Sequence, residues 1–239
     1  MSESVKLKLY NISHCNYNCN TMMKYHPSRM TTRKQQSKKA KIIVTNDEDD
    51  DDDTAGDIYK KITRENNHIY FYAEVDRPNI FELIELIRKC EIDNIVTAHK
   101  NCLDDIPIFI HISSFGGLLF DAFTAIDVIQ SCKVPVHTII DGPTASAGTI
   151  ISVVGSKRYM RPNAYMLIHQ LSSSSWGKMA ELEDEHENNT MLMKRIKDIY
   201  TEHASIPKKQ LAEILKHDLW WDLQKCKDYG LVDEEWNRA

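Results

Sequence analysis

An α/β layer fold, a mainly parallel sheet covered by helices, is the class that the sequence predicts, and three observations predict it. Short apolar runs rich in β-formers alternate with longer segments of helical periodicity. Two of the strand-like runs end in junctions of small residues, at Gly116-Gly117 and at GPTASAGT (142–149). No internal repeat points to a solenoid or an array.

The elements follow in order. Globular texture begins at Asp57, and HIYFYAEV (68–75) has strand composition. NIFELIELIRKC (79–90) puts Ile80, Leu83, Ile84 and Ile87 on one helical face. PIFIHIS (107–113) reads as a short strand that stops at the glycine pair, after which LLFDAFTAIDVIQSC (118–132) returns to helical periodicity. VPVHTIID (134–141) is the next strand and TIISVVG (149–155) the next helix. KRYMRPNAYMLIHQ (157–170) reads as two short strands broken at Pro162-Asn163. A long amphipathic helix runs from about Lys178 to His203, with Met179, Leu182, Met193, Ile196 and Tyr200 turned toward the core.

Composition narrows the function. Of 239 residues, 42% are hydrophobic and 27% charged, an ordinary globular mixture, and a net charge of −5 gives no overall bias toward nucleic acid or membrane. Nothing approaches the run of about 18 apolar residues that a membrane span needs, and MSESVKLKLYN lacks the apolar core of a secretory signal. A cytoplasmic protein that touches no membrane is expected. Six cysteines do not make a disulfide framework in a chain of this length. His14, Cys15 and Cys19 in SHCNYNC imitate ligand spacing, but no second pair completes a tetrahedral site, so no metal is expected.

Residues 1–56 differ from the rest. Nine Lys or Arg against the single acid Glu3 fill the stretch up to Lys41, and DEDDDDD follows at 47–53. Blocks of like charge solvate and repel rather than pack, so this segment is expected to be a disordered or cleavable extension preceding one domain at 57–239. The two blocks nearly cancel, which argues against nucleic acid as its partner.

In an α/β layer fold, functional groups gather where strands end and helices begin. GPTASAGT is such a place, with Ser146 between Ala145 and Ala147 and Gly148 just beyond. It half-matches the nucleophile elbow, having Gly two residues after the serine but Thr144 two before it. Free N–H groups at a helix start can stabilise a developing oxyanion. Close packing asks for the same small residues, so the octapeptide alone does not decide between chemistry and packing. A serine nucleophile needs a base, and His169 ends the apolar strand AYMLIHQ. A carboxylate to orient that imidazole is offered by LKHDLWWDLQ, where periodicity leaves both Asp218 and Asp222 open.

From Asp57 to Asp233 these residues resemble ClpP, the proteolytic subunit of the ATP-dependent Clp protease. GDIYKKI is similar to the family's entry into its first strand, and IFIHISSFGG resembles YINSPGG. GPTASAG is similar to GMAASMG, RPNAYMLIHQ to LPNSRVMIHQ, and KDYGLVD to EYGLVD, in the family's order and at nearly its spacing. The resemblance implies a crotonase-like spiral of strand-strand-helix units with a protruding handle helix from Lys178. It implies Ser146 as nucleophile, His169 as general base, Asp218 rather than Asp222 as the acid, and the backbone N–H groups of Gly116 and Ala147 as oxyanion donors. The implied activity is endoproteolysis of unfolded polypeptides to short peptides, with no metal or nucleotide in this subunit. The implied partners are copies of the chain, in two stacked seven-membered rings enclosing the sites, and an AAA+ Clp unfoldase that spends the ATP. Met179 and Leu182 are then candidates for contact between rings.

The chain also departs from the family pattern. Phe115 stands where proline is usual, Ser113 where asparagine is, and QLSSSSWGK (170–178) replaces a glycine-rich segment; Lys216-His217 replaces an acid followed by Arg. Three other readings accompany the favoured one. A specialised peptidase, such as one processing a viral capsid scaffold, would remove its own residues near 56. A non-catalytic ring subunit would fail to label at Ser146. An acyl-CoA enzyme of the crotonase type would have no need of the serine and histidine.

Overall fold

The computed structural model describes residues 62–237. The charged extension, the SHCNYNC motif and the segment GDIYK lie outside the described residues.

A hairpin opens the described chain: β1 (Ile62–Glu65) and β2 (His68–Phe71) pair antiparallel across Asn66, which takes the left-handed φ of 54° that asparagine tolerates. The helix α1 (Arg77–Asn101) starts where Asp76 accepts the Asn79 N–H, with proline in the first turn. It outruns the expected helix because Asn94, the polar residue on its buried face, satisfies its amide on the carbonyls of Ile106 and Pro107. Then come β3 (Ile108–Ser114), α2 (Leu119–Ser131), β4 (Val136–Ala145), α3 (Ala147–Ser152), β5 (Lys157–Met160), β6 (Tyr165–Leu167) and α4 (Met179–His203). The chain finishes with α5 (Lys208–Ile214), α6 (Leu223–Asp228) and the two-residue β7 (Glu234–Glu235).

The seven strands form one sheet in the order β1-β2-β3-β4-β5-β7, with β6 pairing to the far end of β4. Every pairing after the first is parallel. Cross-strand register sorts the residues into two faces. Ile69, Ile110 and Thr138 sit side by side on the face that packs under α1, α2 and α3, while His68, Phe109 and His137 sit side by side on the other. The core on the helical side is almost wholly aliphatic, with Ile69, Phe71, Leu83, Ile87, Ile108, Ile110, Ile112 and Leu119 fully buried.

The opposite face carries rings and charges. His68 Nδ1 lies 2.9 Å from His111 Nε2, and His111 Nδ1 lies 2.8 Å from Asp141 Oδ2. Tyr72 donates its hydroxyl to the same oxygen, and Arg161 Nε reaches the other carboxylate oxygen at 2.6 Å. Tyr70 stacks on His111, and Trp236 crosses it edge-on. Burial alone would push the Asp141 carboxyl up, but the donors from His111, Tyr72 and Arg161 together hold it below its ordinary value.

One expectation needs correction. Met179 and Leu182 do not face the core: they are 70% and 36% exposed. The first half of α4 has none of the described core to bury against, and its buried stripe is Leu192, Ile196, Ile199 and Tyr200, with Glu185 the one buried residue nearer its start. Periodicity finds the apolar side of a helix but not how much of it the rest of the chain covers. No strand is assigned within 170–178. No helix among the described residues is long and apolar enough to cross a membrane, and they contain no metal-binding group of three or more His, Cys, Asp or Glu.

Asp141 should therefore be a strong contributor to stability. Asp141→Asn is expected to cost on the order of 3 kcal/mol in urea unfolding at pH 7, since it breaks a buried charge network. Because the folded-state value is depressed, that contribution is present above the ordinary carboxylate pKa of about 4 and is lost as pH falls through the folded value. The gap between wild type and variant should accordingly narrow as pH falls below about 4.

Candidate active site

Strand β4 does not stop where its apolar run ends. It continues through Gly142, Pro143 and Thr144 to Ala145, because β6 pairs with this far end, Ala145 opposite Leu167. Ser146 then turns the chain straight into α3 with φ 59° and ψ −127°, a backbone conformation that non-glycine residues rarely hold. The turn is fastened on several sides. Ser146 donates its N–H to the Leu167 carbonyl at 3.0 Å. Its own carbonyl accepts from the Thr149 N–H at 3.0 Å and from the Thr149 hydroxyl at 2.6 Å. That hydroxyl also lies 2.7 Å from the hydroxyl of Tyr200, which is fully buried on α4.

The glycine pair packs directly on this turn. Gly116 has φ 95°, and a β-carbon there would lie 2.6 Å from Ser146 Cβ and 2.9 Å from the Ala147 nitrogen. Gly117, at φ 148°, is closed to a side chain by the Val75 carbonyl, 2.2 Å from where its β-carbon would be. Both positions need glycine, and through them the loop after β3 is laid against Ser146 and Ala147. The Gly116 N–H is engaged within its own loop, donating to the Ser114 hydroxyl at 3.2 Å. Ser113 and Phe115 thus flank a loop that still turns at the glycines.

His169 follows β6 and is brought alongside by the same pairing that holds Ser146. An antiparallel bridge joins Met166 to Trp221, with reciprocal backbone bonds of 2.9 and 2.7 Å. His169 lies three residues beyond Met166 and Asp218 three before Trp221, so the bridge carries both toward the same end of β6. Electrostatics agree: burial lowers the His169 pKa below the ordinary histidine value, while Asp218 pulls it back up through space and a backbone bond at Gln170 adds to this. The imidazole is thereby neutral at pH 7 and fit to accept a proton.

Local structure gives the two acids different surroundings. Asp222 is the N-cap of α6, its carboxylate accepting the Lys225 N–H at 2.9 Å. Asp218 is exposed and uncommitted, and it is the acid that acts on His169.

Two atoms of this cluster are buried without a hydrogen-bond partner: Ser146 Oγ and His169 Nε2. A buried polar atom left unpaired costs about 1–3 kcal/mol, and few occur in a native domain. Here two fall on a hydroxyl and an imidazole held by neighbouring strand ends, and they are not bonded to each other. The arrangement can offer a nucleophile, a base and an acid in series, beside backbone N–H groups at the start of a helix. Thr149 and Ser114 escaped sequence reasoning, as did the contact of the Tyr200 hydroxyl with Thr149. A threonine three residues after the serine was the one available signal for the first, since such hydroxyls return to local carbonyls.

The chain resembles known proteins in sequence and in structure. Residues 50–238 match the family model described as Clp protease. The ATP-dependent Clp protease proteolytic subunit 2 of Treponema denticola is 33% identical over 130 residues, which is 54% of this chain and 65% of that relative. The chain thus spans just under two thirds of the length of the curated relative it matches. A point mutant of ClpP1 from Listeria monocytogenes superposes with a TM-score of 0.63 at 24% identity, covering 73% of this chain and 93% of that one, which shows a shared fold.

The two acids can be told apart by imidazole titration. Asp218→Asn removes a group that raises the His169 pKa, so its NMR titration midpoint, already depressed, should fall further; Asp222→Ala should leave it in place and cost about 1 kcal/mol of stability as a lost cap. A midpoint that moves with Asp222 and not with Asp218 would reverse the assignment.

Proposed function

The chain belongs to the Clp protease family, and from that premise we propose that it is a serine endopeptidase acting on unfolded polypeptides. One observation carries this reading: Ser146 Oγ and His169 Nε2 are both buried without a partner, just beyond the paired ends of β4 and β6. Ser146 is the nucleophile, His169 the general base and Asp218 the carboxylate that stabilises the imidazolium. His169 Nε2 takes the hydroxyl proton as Ser146 attacks the peptide carbonyl, then returns it to the departing amine. Water, deprotonated by the same nitrogen, releases the acyl group from Ser146.

The oxyanion falls to the Ala147 N–H and to the Gly116 N–H, packed against each other at the turn. Gly116 can serve only by leaving the Ser114 hydroxyl, so the resting subunit has one donor occupied and its serine and histidine unjoined. Substrate or a neighbouring subunit has to complete the site. The chain works as a homo-oligomer of stacked heptameric rings in the cytoplasm, fed by an AAA+ Clp unfoldase that consumes the ATP. The exposed first half of α4, with Met179 and Leu182, supplies ring contacts. This subunit itself requires no metal or nucleotide.

Ser146→Ala is expected to lower hydrolysis of a fluorogenic peptide by about 10⁴ to 10⁶, with the assembly unchanged in native mass spectrometry. Hydrolysis at the wild-type rate would overturn the reading.

A further inference from the structure

A fully buried hydroxyl on α4 reaches the turn at Ser146 through one other side chain. Tyr200 lies on the apolar stripe of that helix with Ile196 and Ile199, 1% exposed, and packing alone would be served there by phenylalanine. Its hydroxyl instead lies 2.7 Å from that of Thr149, which is itself buried and donates at 2.6 Å to the Ser146 carbonyl. Counting hydrogens gives the series a direction. A carbonyl can only accept, so the single Thr149 hydroxyl hydrogen goes to Ser146, and the hydrogen between the two hydroxyls must come from Tyr200. Burial pushes the Tyr200 pKa up, so the phenol keeps that hydrogen near neutral pH.

The carbonyl gripped in this way belongs to the peptide group that joins Ser146 to Ala147. A trans peptide is planar, and its C=O and N–H point in opposite directions. Fixing the Ser146 carbonyl on one side therefore fixes the aim of the Ala147 N–H on the other. Ala147 opens α3, so that N–H has no carbonyl a turn earlier in the helix to bind, and it is one of the two oxyanion donors of the hydrolytic scheme. The plane needs holding, because Ser146 keeps φ 59° and ψ −127° only under restraint. The Thr149 N–H restrains the same carbonyl at 3.0 Å, and the hydroxyl series adds a second hold. Hydrogen bonds in series also polarise one another, and a carbonyl drawn on harder makes the N–H of its own peptide group a better donor.

We propose that Tyr200 and Thr149 are positioning residues for the oxyanion donor, the series from Tyr200 O–H through Thr149 O–H to the Ser146 carbonyl serving to aim and polarise the Ala147 N–H. The proposal rests on the peptidase reading above. Both hydroxyls are buried and act through the peptide group rather than on substrate. Their effect is greatest where negative charge develops on the attacked carbonyl, so losing them is felt in the transition state and little in substrate binding. The series also gives a task to a polar pair that the core could do without, since two apolar residues of the same shape would fill the same space.

The test uses the full chain and two variants, Tyr200→Phe and Thr149→Val, each of which deletes one hydroxyl and keeps the side chain's shape. Both are expected to lower kcat on a fluorogenic peptide about tenfold with KM unchanged. The inhibition constant of a peptide boronate, which forms a tetrahedral adduct on the serine, should rise by the same factor. Combining the two should cost no more than Thr149→Val alone, and Thr149→Ser, which keeps the hydroxyl, should recover most of the kcat that Thr149→Val loses. A merely structural pair would lower the urea midpoint while kcat per site, counted by fluorophosphonate labelling of Ser146, stayed at the wild-type value, and that result would overturn the proposal. So would a raised KM with unchanged kcat, or a double variant in which the two losses multiply. Should Tyr200→Phe fail to fold, Thr149→Val and Thr149→Ser carry the test together, and equal kcat in the two overturns it. Failure of the peptidase reading is seen separately, as wild-type hydrolysis by Ser146→Ala.

Discussion

The backbone of one residue organises this molecule. Ser146 holds φ 59° between a ten-residue strand and a six-residue helix, a conformation that costs on the order of 1–3 kcal/mol and persists only where its surroundings enforce it. Those surroundings can be named. Leu167 takes the N–H, Thr149 takes the carbonyl twice, and Gly116 fills the space beneath the side chain. Remove the pairing of β6 with β4 and the serine loses its N–H acceptor while His169 loses its address. The strain and the histidine are placed by the same strand.

Two of the histidine–carboxylate sets among the described residues differ in an instructive way. In the first, His111 contacts His68 through one nitrogen and Asp141 through the other, while the carboxylate is shared with Tyr72 and Arg161. Every valence is spent, which is how a buried polar group lowers the cost of its burial. In the second, the His169 Nε2 and the Ser146 hydroxyl are both left without a partner, and Asp218 is exposed. Saturation marks the first set, and unsaturation is what the proposed catalytic role of the second requires.

Much of this was legible in the sequence because it rests on local rules. Alternating apolar runs announced the parallel sheet, and Ile80, Leu83, Ile84 and Ile87 announced the buried face of the first helix. The junction at Ser146 was conspicuous for its run of small residues, although close packing asks for the same ones. What stayed hidden was non-local. Periodicity could not tell Asp222 from Asp218, since the difference lies in the helix that Asp222 caps, and the short α5 and α6 give periodicity too few turns to register. Met179 and Leu182 looked like core because an apolar stripe does not reveal where its covering ends. Tyr200 sat plainly on the stripe of the long helix, but nothing in its spacing announced that its hydroxyl would meet Thr149, 51 residues earlier.

That last contact has a mechanical meaning. The long helix is a lever with one end free, since Met179 and its neighbours stand in solvent, and with its fulcrum in the buried turns around Ile196 and Tyr200. The fulcrum is tied by one oxygen–oxygen bridge of 2.7 Å to the hydroxyl that grips the serine's carbonyl. A displacement of that helix at Tyr200 would therefore bear on the hydrogen bonds that fasten the serine's turn.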